Sequence, residues 1–595
     1  MVGSTLLGAF ECVLAAWAVS RDLIGESITP ALLAATTGKN AATHALLWTP
    51  LTVAASVVLY AVKATRSGVR PCVTPLFIFV AGGVVLSIDL EIAHRASVPY
   101  MLGAWATAAL AAAAAFLFGR WFGRRRPTLA RNLSRGVLIV GSVAFGLLVW
   151  IFAGSPLFNP AGWRPTDTRM IYKRSTGMNV LWIVLDTTRA DRMSLYGYER
   201  PTTPFLTEFA KESLVCDRAI ANGMWTVPSH AAMFTGMSAR EHGTGHRNLH
   251  LDDAFETVAD ELSRRGYETA AFSNNPLVSP RTNLLQGFDE WRILYHHRQL
   301  QQFSLGYLCE RMGWTPPLPW LDGDYGASLT NSMIETWLNR PRARPHFLFV
   351  NYMEAHLPYR VPRRYRAMFM TPQQVARSYE LRRKAFGNCV HRLDRDFNIT
   401  GGDFVGESDR EVLRRQYDAA IRYLDDRARE LIGMYESRGL LDNTLVVLAG
   451  DHGEYLGTHD MWGHRFLAYQ DLAHVPMLVR DPRDPVAARI ATPTQLSDLY
   501  ATVLNAALPE APDHARADSV DLLATRAPRD AGAKPQPADR IAICECNGPA
   551  PVTMKSFATI TDPVVLHRTS PQIAAVGGRY KLMLSADGQR ELYDL

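Results

Sequence analysis

Long apolar stretches crowd the start of this chain and then stop. Five of them, about Val2–Ser20, Thr43–Val62, Pro71–Ile88, Val98–Phe118 and Gly136–Phe158, fall in the first quarter of the 595 residues. Each is close to the ~20 residues that cross a bilayer as a helix. A cleaved leader followed by buried core helices would also be apolar. No basic segment precedes the first stretch, however, as it would in a leader, and four further runs of that length do not suit a water-soluble core. The expectation is a membrane domain over 1–158 with about five transmembrane helices. Glu11, inside the first stretch, is either an intramembrane carboxylate with a role of its own or a residue near a helix end.

Charge orients these stretches. Up to Phe158 there are twelve Lys and Arg against five Asp and Glu, and the rest of the chain is almost balanced. A net charge of +6 gives no reason to expect nucleic-acid binding. Lys63, Arg66 and Arg70 follow the second stretch, and six arginines between Arg120 and Arg135 follow the fourth, whereas the other two loops are close to neutral. Basic loops stay cytoplasmic. Five spans then leave the chain on the outer face: a multi-pass cell (inner) membrane protein with an extracytoplasmic domain. The Pro-rich Ser155–Pro165 stretch marks the exit from the last span, residues 159–178 read as the linker, and 179–595 as the soluble domain.

That domain reads as α/β. Asn179–Leu185, Phe347–Tyr352 and Thr444–Ala449 are short continuous apolar runs, the signature of strands buried on both faces of a largely parallel sheet. Thr203–Ser213, Ala254–Arg264 and Glu411–Arg438 carry apolar residues at helical spacing, and the segment from Pro509 to about Asp539 reads as a loose loop. Cys216, Cys309, Cys389, Cys544 and Cys546 fall in this domain; the last two should share one strand face without bonding each other.

The three runs lead into polar residues: Asp186, then Glu354 and His356, then Asp451 and His452. Sites in open α/β sheets form beyond the carboxyl ends of the strands. Carboxylate oxygens with an imidazole nitrogen suit zinc or manganese; an all-oxygen shell would suit calcium or magnesium. A second element is Met224–Gly236, with Pro228 in the first turn of a helix and Gly236 at its end. Thr226 should sit just before the helix, either as an ordinary N-cap or as a nucleophile whose anion the helix end and a metal would stabilise.

Together these segments resemble the sulfatase-like branch of the alkaline phosphatase superfamily. Leu185–Asp191 with Tyr196–Tyr198 is similar to the family's first strand and first metal ligand. Trp225-Thr226-Val227-Pro228-Ser229 with Thr235-Gly236 and His242-Gly243 is similar to its nucleophile motif. Gly287–Trp291, His356–Tyr359, Gly450-Asp451-His452-Gly453-Glu454, Gly578–Lys581 and Glu591–Leu595 match further segments. The resemblance implies an α/β fold with a mostly parallel, alkaline-phosphatase/sulfatase-like sheet flanked by helices, here preceded by the all-α membrane domain. It also implies one divalent metal ion held by Asp186, Asp451 and His452 with the Thr226 oxygen. Thr226, His356 and His464 would be catalytic, and Arg189, His230 and His459 would bind substrate, although Arg189 also suits bracing of the first loop.

Departures from the pattern shape the functional expectation. Sulfatases oxidise Cys or Ser to formylglycine, and Thr226 cannot give that aldehyde because its Cβ bears a methyl. His230 stands for the family's Arg, Thr187 for its second aspartate, and Phe272-Ser273-Asn274-Asn275 for its sulfate-holding segment. A Thr nucleophile behind five spans is similar instead to phosphoethanolamine transferases and lipoteichoic-acid synthases, whose first ligand is usually Glu rather than Asp. The leading expectation is therefore a membrane-anchored hydrolase or transferase. It would cleave phosphate esters or phosphodiesters, with a membrane lipid or cell-envelope ester as partner. A sulfuric ester hydrolase and a catalytically silent scaffold are the rivals; the oligomeric state is left open. On the topology, protease added to intact spheroplasts should cut the domain after Phe158 and spare the loop Arg120–Arg135. Protection of the domain would overturn the orientation.

Overall fold

The computed structural model describes residues 177–294, 324–386, 398, 405–511, 514–525, 540–548 and 562–595. The five apolar stretches, most of the linker, Cys309 and Cys389 lie outside them. Among the described residues no helix is long and apolar enough to cross a membrane.

An eight-stranded sheet organises the domain. Its strands are β1 (Asn179–Leu185), β2 (Leu214–Cys216), β3 (Glu268–Ser273), β4 (Glu290–Ile293), β5 (His346–Tyr352), β6 (Thr444–Ala449), β7 (Met477–Arg480) and β8 (Ala488–Ile490), in the spatial order β8-β2-β7-β6-β1-β5-β3-β4. β1 is parallel to both neighbours, with Ile183 opposite Val350 on one side and Leu448 on the other. β7 alone runs against its neighbours, β6 and β2. The sheet is therefore mixed, with a parallel centre.

The apolar runs behave as sequence physics requires. Every residue of β1 and β6 is buried, because helices cover both faces. Val180, Trp182 and Val184 point into one core, shared with α1 (Thr226–Thr235), α2 (Val258–Arg264) and α5 (Asp498–Ala507). Leu181, Ile183 and Leu185 point into the other, shared with α3 (Ala327–Leu338) and the thirty-residue α4 (Glu407–Glu436). α2 starts at Val258 rather than Ala254, because Thr257 and Asp260 close a capping box there. The Thr203–Ser213 pattern breaks into a helix, Pro204–Phe209, and a 3-10 turn, Ala210–Glu212.

A second, antiparallel sheet holds β9 (Ala542–Cys546), β10 (Gln572–Val576), β11 (Tyr580–Ser585) and β12 (Arg590–Asp594), with α6 (Pro563–Thr569) before β10. Cys544 and Cys546 do share the buried face of β9, and both are free thiols, as is Cys216. Trp182 sits at the centre of the first core, its ring centroid 5.9 Å from that of Phe234 and 6.5 Å from that of Phe349. Trp182→Ala should therefore destabilise the domain by about 3–5 kcal/mol, read from denaturant unfolding. A loss under about 1 kcal/mol would show that the aromatic cluster does not anchor the sheet.

Candidate active site

Four adjacent strands deliver polar residues to one edge. Asp186 follows β1, Asn274 and Asn275 follow β3, Asn351 lies near the end of β5, and Asp451 and His452 follow β6. The β1 and β6 ends run in step, Val184 opposite Ala449, so the two aspartates emerge side by side. Ligand atoms of Asp186, Asp451 and His452 lie within 4.8 Å of one another. All three residues are completely buried.

Backbone geometry sets each of these groups. Thr187 adopts φ +57°, a left-handed conformation unfavourable for a β-branched residue, and its N–H donates to Asp451 Oδ1 at 2.9 Å. Thr187 is thus a positioning residue rather than a ligand. Tyr417 of α4 holds this loop: its hydroxyl donates to Thr187 O at 2.6 Å and accepts from Arg189 N at 2.9 Å. Gly453 cannot be replaced without a shift, since a Cβ there would come within 1.8 Å of Asp471 O. His452 Nδ1 donates to Gly453 O at 2.9 Å, which turns the bare Nε2 inward.

Metal fit rests on what these groups lack. Asp186 Oδ1, Asp451 Oδ2 and His452 Nε2 are buried and have no hydrogen-bond partner. One unsatisfied atom per residue, two anionic oxygens and one imidazole nitrogen, makes a donor set that suits a divalent cation. Burial, and for Asp186 also the charge of Asp451, raises both carboxyls from the usual range to about 7. Burial likewise depresses His452.

Thr226 is the first residue of α1, not the residue before it; Trp225 takes the cap position with extended backbone. Its hydroxyl oxygen accepts from Asn275 Nδ2 at 3.1 Å, and the same amide donates to Asp186 Oδ2 at 2.7 Å. Asn275 therefore ties the candidate nucleophile to the metal-ligand group. Asn351 Nδ2 also donates to Asp186 Oδ2, at 3.2 Å. Gly236 ends α1 at φ +69°, as the sequence indicated.

The histidines divide by position. His464 Nδ1 donates to the buried Glu454 carboxylate at 2.9 Å. Its ring lies 4.5 Å from that of His452 and 4.9 Å from that of His356. His356 Nδ1 donates to Leu357 O at 2.7 Å, so its Nε2 is the basic nitrogen. Burial lowers both rings, His356 to about 3. His230 is wholly buried: Nδ1 donates to Thr226 O at 2.9 Å and Nε2 faces the Asn351 amide at 3.4 Å. Both ring nitrogens of His230 thus face protein groups, one of them the backbone carbonyl of Thr226. Arg189 is held by Asp191, Asp471 and the Glu454 carbonyl, so it braces the loop. His459 stacks on Tyr469 at 3.9 Å and faces Asp471, apart from the ligand group.

Glu354, noted in the sequence, accepts from Tyr325 N and Ala327 N and fixes the start of α3 instead. Asn275, Asn351 and Glu454 went unassigned. Asn275 lies in the segment that departs from the family pattern and Glu454 in one that matches it, and all three lie near strand ends on the site edge.

Metal and pH should act together on this group. With both carboxyls raised to about 7, these two groups hold more protons in the metal-free fold than in the unfolded chain between about pH 4 and 7. Their contribution to stability therefore falls as pH rises through that window, while cation binding becomes easier. The gap in Tm between chelator-treated and manganese- or zinc-loaded protein should widen from pH 4 to 7. A gap that stays constant would contradict this assignment.

Comparison with known proteins agrees with this architecture. The profile of the family described as Sulfatase matches residues 178–508, more than half of the chain. An arylsulfatase of Clostridium perfringens is 24% identical over 391 residues, 58% of this chain and 79% of that protein. An N-acetylglucosamine-6-O-sulfatase of Bacteroides thetaiotaomicron is 22% identical over 362 residues, 51% of this chain and 63% of its own length. The crystal structure of a phosphonate monoester hydrolase of Agrobacterium radiobacter superposes with a TM-score of 0.54 at 19% identity, covering 70% of this chain and 89% of that one. With the family profile spanning the parallel sheet and every residue of the Asp186–Asp451–His452 group, the chain belongs to the sulfatase family.

Proposed function

We propose that the chain is a metal-dependent hydrolase of sulfate esters or closely related phosphorus esters, with Thr226 as nucleophile. The observation that carries this is the trio of unsatisfied atoms on Asp186, Asp451 and His452, one amide away from the Thr226 hydroxyl. The family match and the curated sulfatases support hydrolysis of a sulfate ester over the phosphate-ester hydrolase or transferase expected from the sequence.

Asp186, Asp451 and His452 would hold the ion, with the Thr226 oxygen beside it. A bound divalent cation makes a nearby hydroxyl more acidic and offsets the charge of an anionic ester. Asn275 directs its N–H at Thr226 Oγ1, leaving the hydroxyl proton turned away and the oxygen placed for attack. His464, its Nδ1 proton committed to Glu454, keeps Nε2 for proton exchange with the leaving oxygen, and His356 presents Nε2 in the same way. Attack by Thr226 Oγ1 breaks the ester bond to the leaving oxygen and forms a Thr226 ester. The hydroxyl proton passes to a bare imidazole Nε2, of His464 or His356, which returns it to the leaving oxygen, and water then cleaves the Thr226 ester.

A second reading has its own observation. Threonine carries no aldehyde hydrate, so the Thr226 ester must be resolved by a second displacement at its central atom. That suits phosphorus, and a phosphodiester or phosphonate substrate is the runner-up. In both readings the apolar first quarter anchors the domain at the outer membrane face. Thr226→Ala should lower turnover by about a thousandfold or more while the protein still folds, and Thr226→Ser should keep part of it. Chromogenic sulfate monoesters and phosphodiesters, each assayed with manganese, zinc, calcium or magnesium, separate the two readings. Full activity in Thr226→Ala on either substrate would remove Thr226 from the chemistry.

A further inference from the structure

Exposed apolar side chains are not spread over this domain. Of the eleven large ones among the described residues, nine fall between residues 541 and 595. On the antiparallel sheet they share one face. The inward residues Cys544, Ala574, Val576 and Met583 belong to the core, while the alternate positions look out. Ile543, Ala575, Leu582 and Leu592 are successive cross-strand partners, so one apolar row crosses all four strands. Ile573 pairs with Leu584 in the next row. Leu592 is 68% exposed, and Val564 and Leu566 of α6 add to the exposed apolar surface. Antiparallel sheets ordinarily turn a polar face to water, and an apolar patch of this kind marks an interaction surface.

What covers it follows from the rim and from the rest of the chain. Tyr580 stands beside the row, exposed, with the Arg579–Asp594 ion pair at its end. An apolar centre with Tyr and Arg at the edge suits the headgroup zone of a bilayer, where amphipathic side chains keep their polar tips wet. The edge strand β12 carries Arg590, Glu591 and Asp594, charges that oppose edge-to-edge pairing with a second copy. The last apolar stretch ends at Phe158, eighteen residues before the described domain begins at Gly177. Eighteen residues reach at most about 60 Å, near the ~55 Å breadth of a compact domain of this size. A membrane anchor there would keep the domain within its own width of the lipid.

We propose that the outer face of the β9–β12 sheet rests in the lipid headgroup region, so that the domain lies on the bilayer by a fixed side rather than swinging on its linker. This rests on the membrane-anchor reading. The test uses the full chain in phosphatidylcholine–phosphatidylglycerol vesicles, with a genetically encoded environment-sensitive fluorophore at position 592, again at 582, and at exposed Lys211 as control. Blue-shifted emission at 592 and 582, quenched several-fold more by doxyl-labelled lipid than at 211, is expected. Quenching at 592 and 582 by aqueous iodide, as at 211, would overturn the proposal. Protection from both quenchers would overturn it too, showing a protein partner or a second copy on this face. Release of the unlabelled chain from membranes by alkaline carbonate would instead defeat the anchor reading itself, and the proposal with it.

Discussion

Two carboxylates forced together out of water govern this domain. Asp186 and Asp451 end neighbouring parallel strands in step, and neither is exposed. Burial disfavours ionisation of both and raises each carboxyl to about 7, and the charge of Asp451 adds to the effect on Asp186. A proton or a cation resolves the conflict. Much of the nearby structure serves to keep it in place: the left-handed Thr187, the Tyr417 clamp, and the Ser229 hydroxyl, which donates to the Asp451 carbonyl and docks α1 on the end of β6.

The surrounding polar groups are mostly neutral or already neutralised. His230 has both ring nitrogens occupied, His464 and His356 each commit one nitrogen to a fixed acceptor, and Arg189 is paired with Asp191 and Asp471. Compensation of the aspartates therefore falls to what the unsatisfied atoms can bind. In the same step the Asn275 amide links that group to Thr226. The candidate metal ligands, Asn275 and the Thr226 hydroxyl are thus gathered at one strand edge, where the parallel centre of the sheet limits their movement.

How much of this was legible in the sequence can be judged residue by residue. β1 and β6 were readable to the residue, because a strand buried on both faces must be continuously apolar and here ends abruptly in Asp186 and Gly450. β3 was not, since Glu268–Ser273 is short and contains two alanines, a pattern no period distinguishes. With that strand unread, Asn275 looked only like a departure from a family segment. Thr226 was placed one residue too early because Trp225, a poor capping residue, holds the cap position through its extended backbone alone. The surroundings of His230 were not readable, since its neighbours in space, Asn351 and Phe349, are about 120 residues away in the chain.

Sequence alone determined which residue types were available and where the chain would turn. Apolar runs dictate a buried parallel sheet, strand-end Asp and His offer metal ligands, and the methyl on Thr226 excludes formylglycine. Tertiary structure decided which of those residues meet. Ligand selection depends on strand order, β6-β1-β5-β3, and order is set by packing between segments far apart in the chain. It decided equally that His230 faces the backbone carbonyl of Thr226, that Arg189 and Glu354 brace the scaffold, and that an apolar row on the last four strands faces outward. Periodicity reports that a strand has two faces; only the neighbours packed against them decide which face is covered.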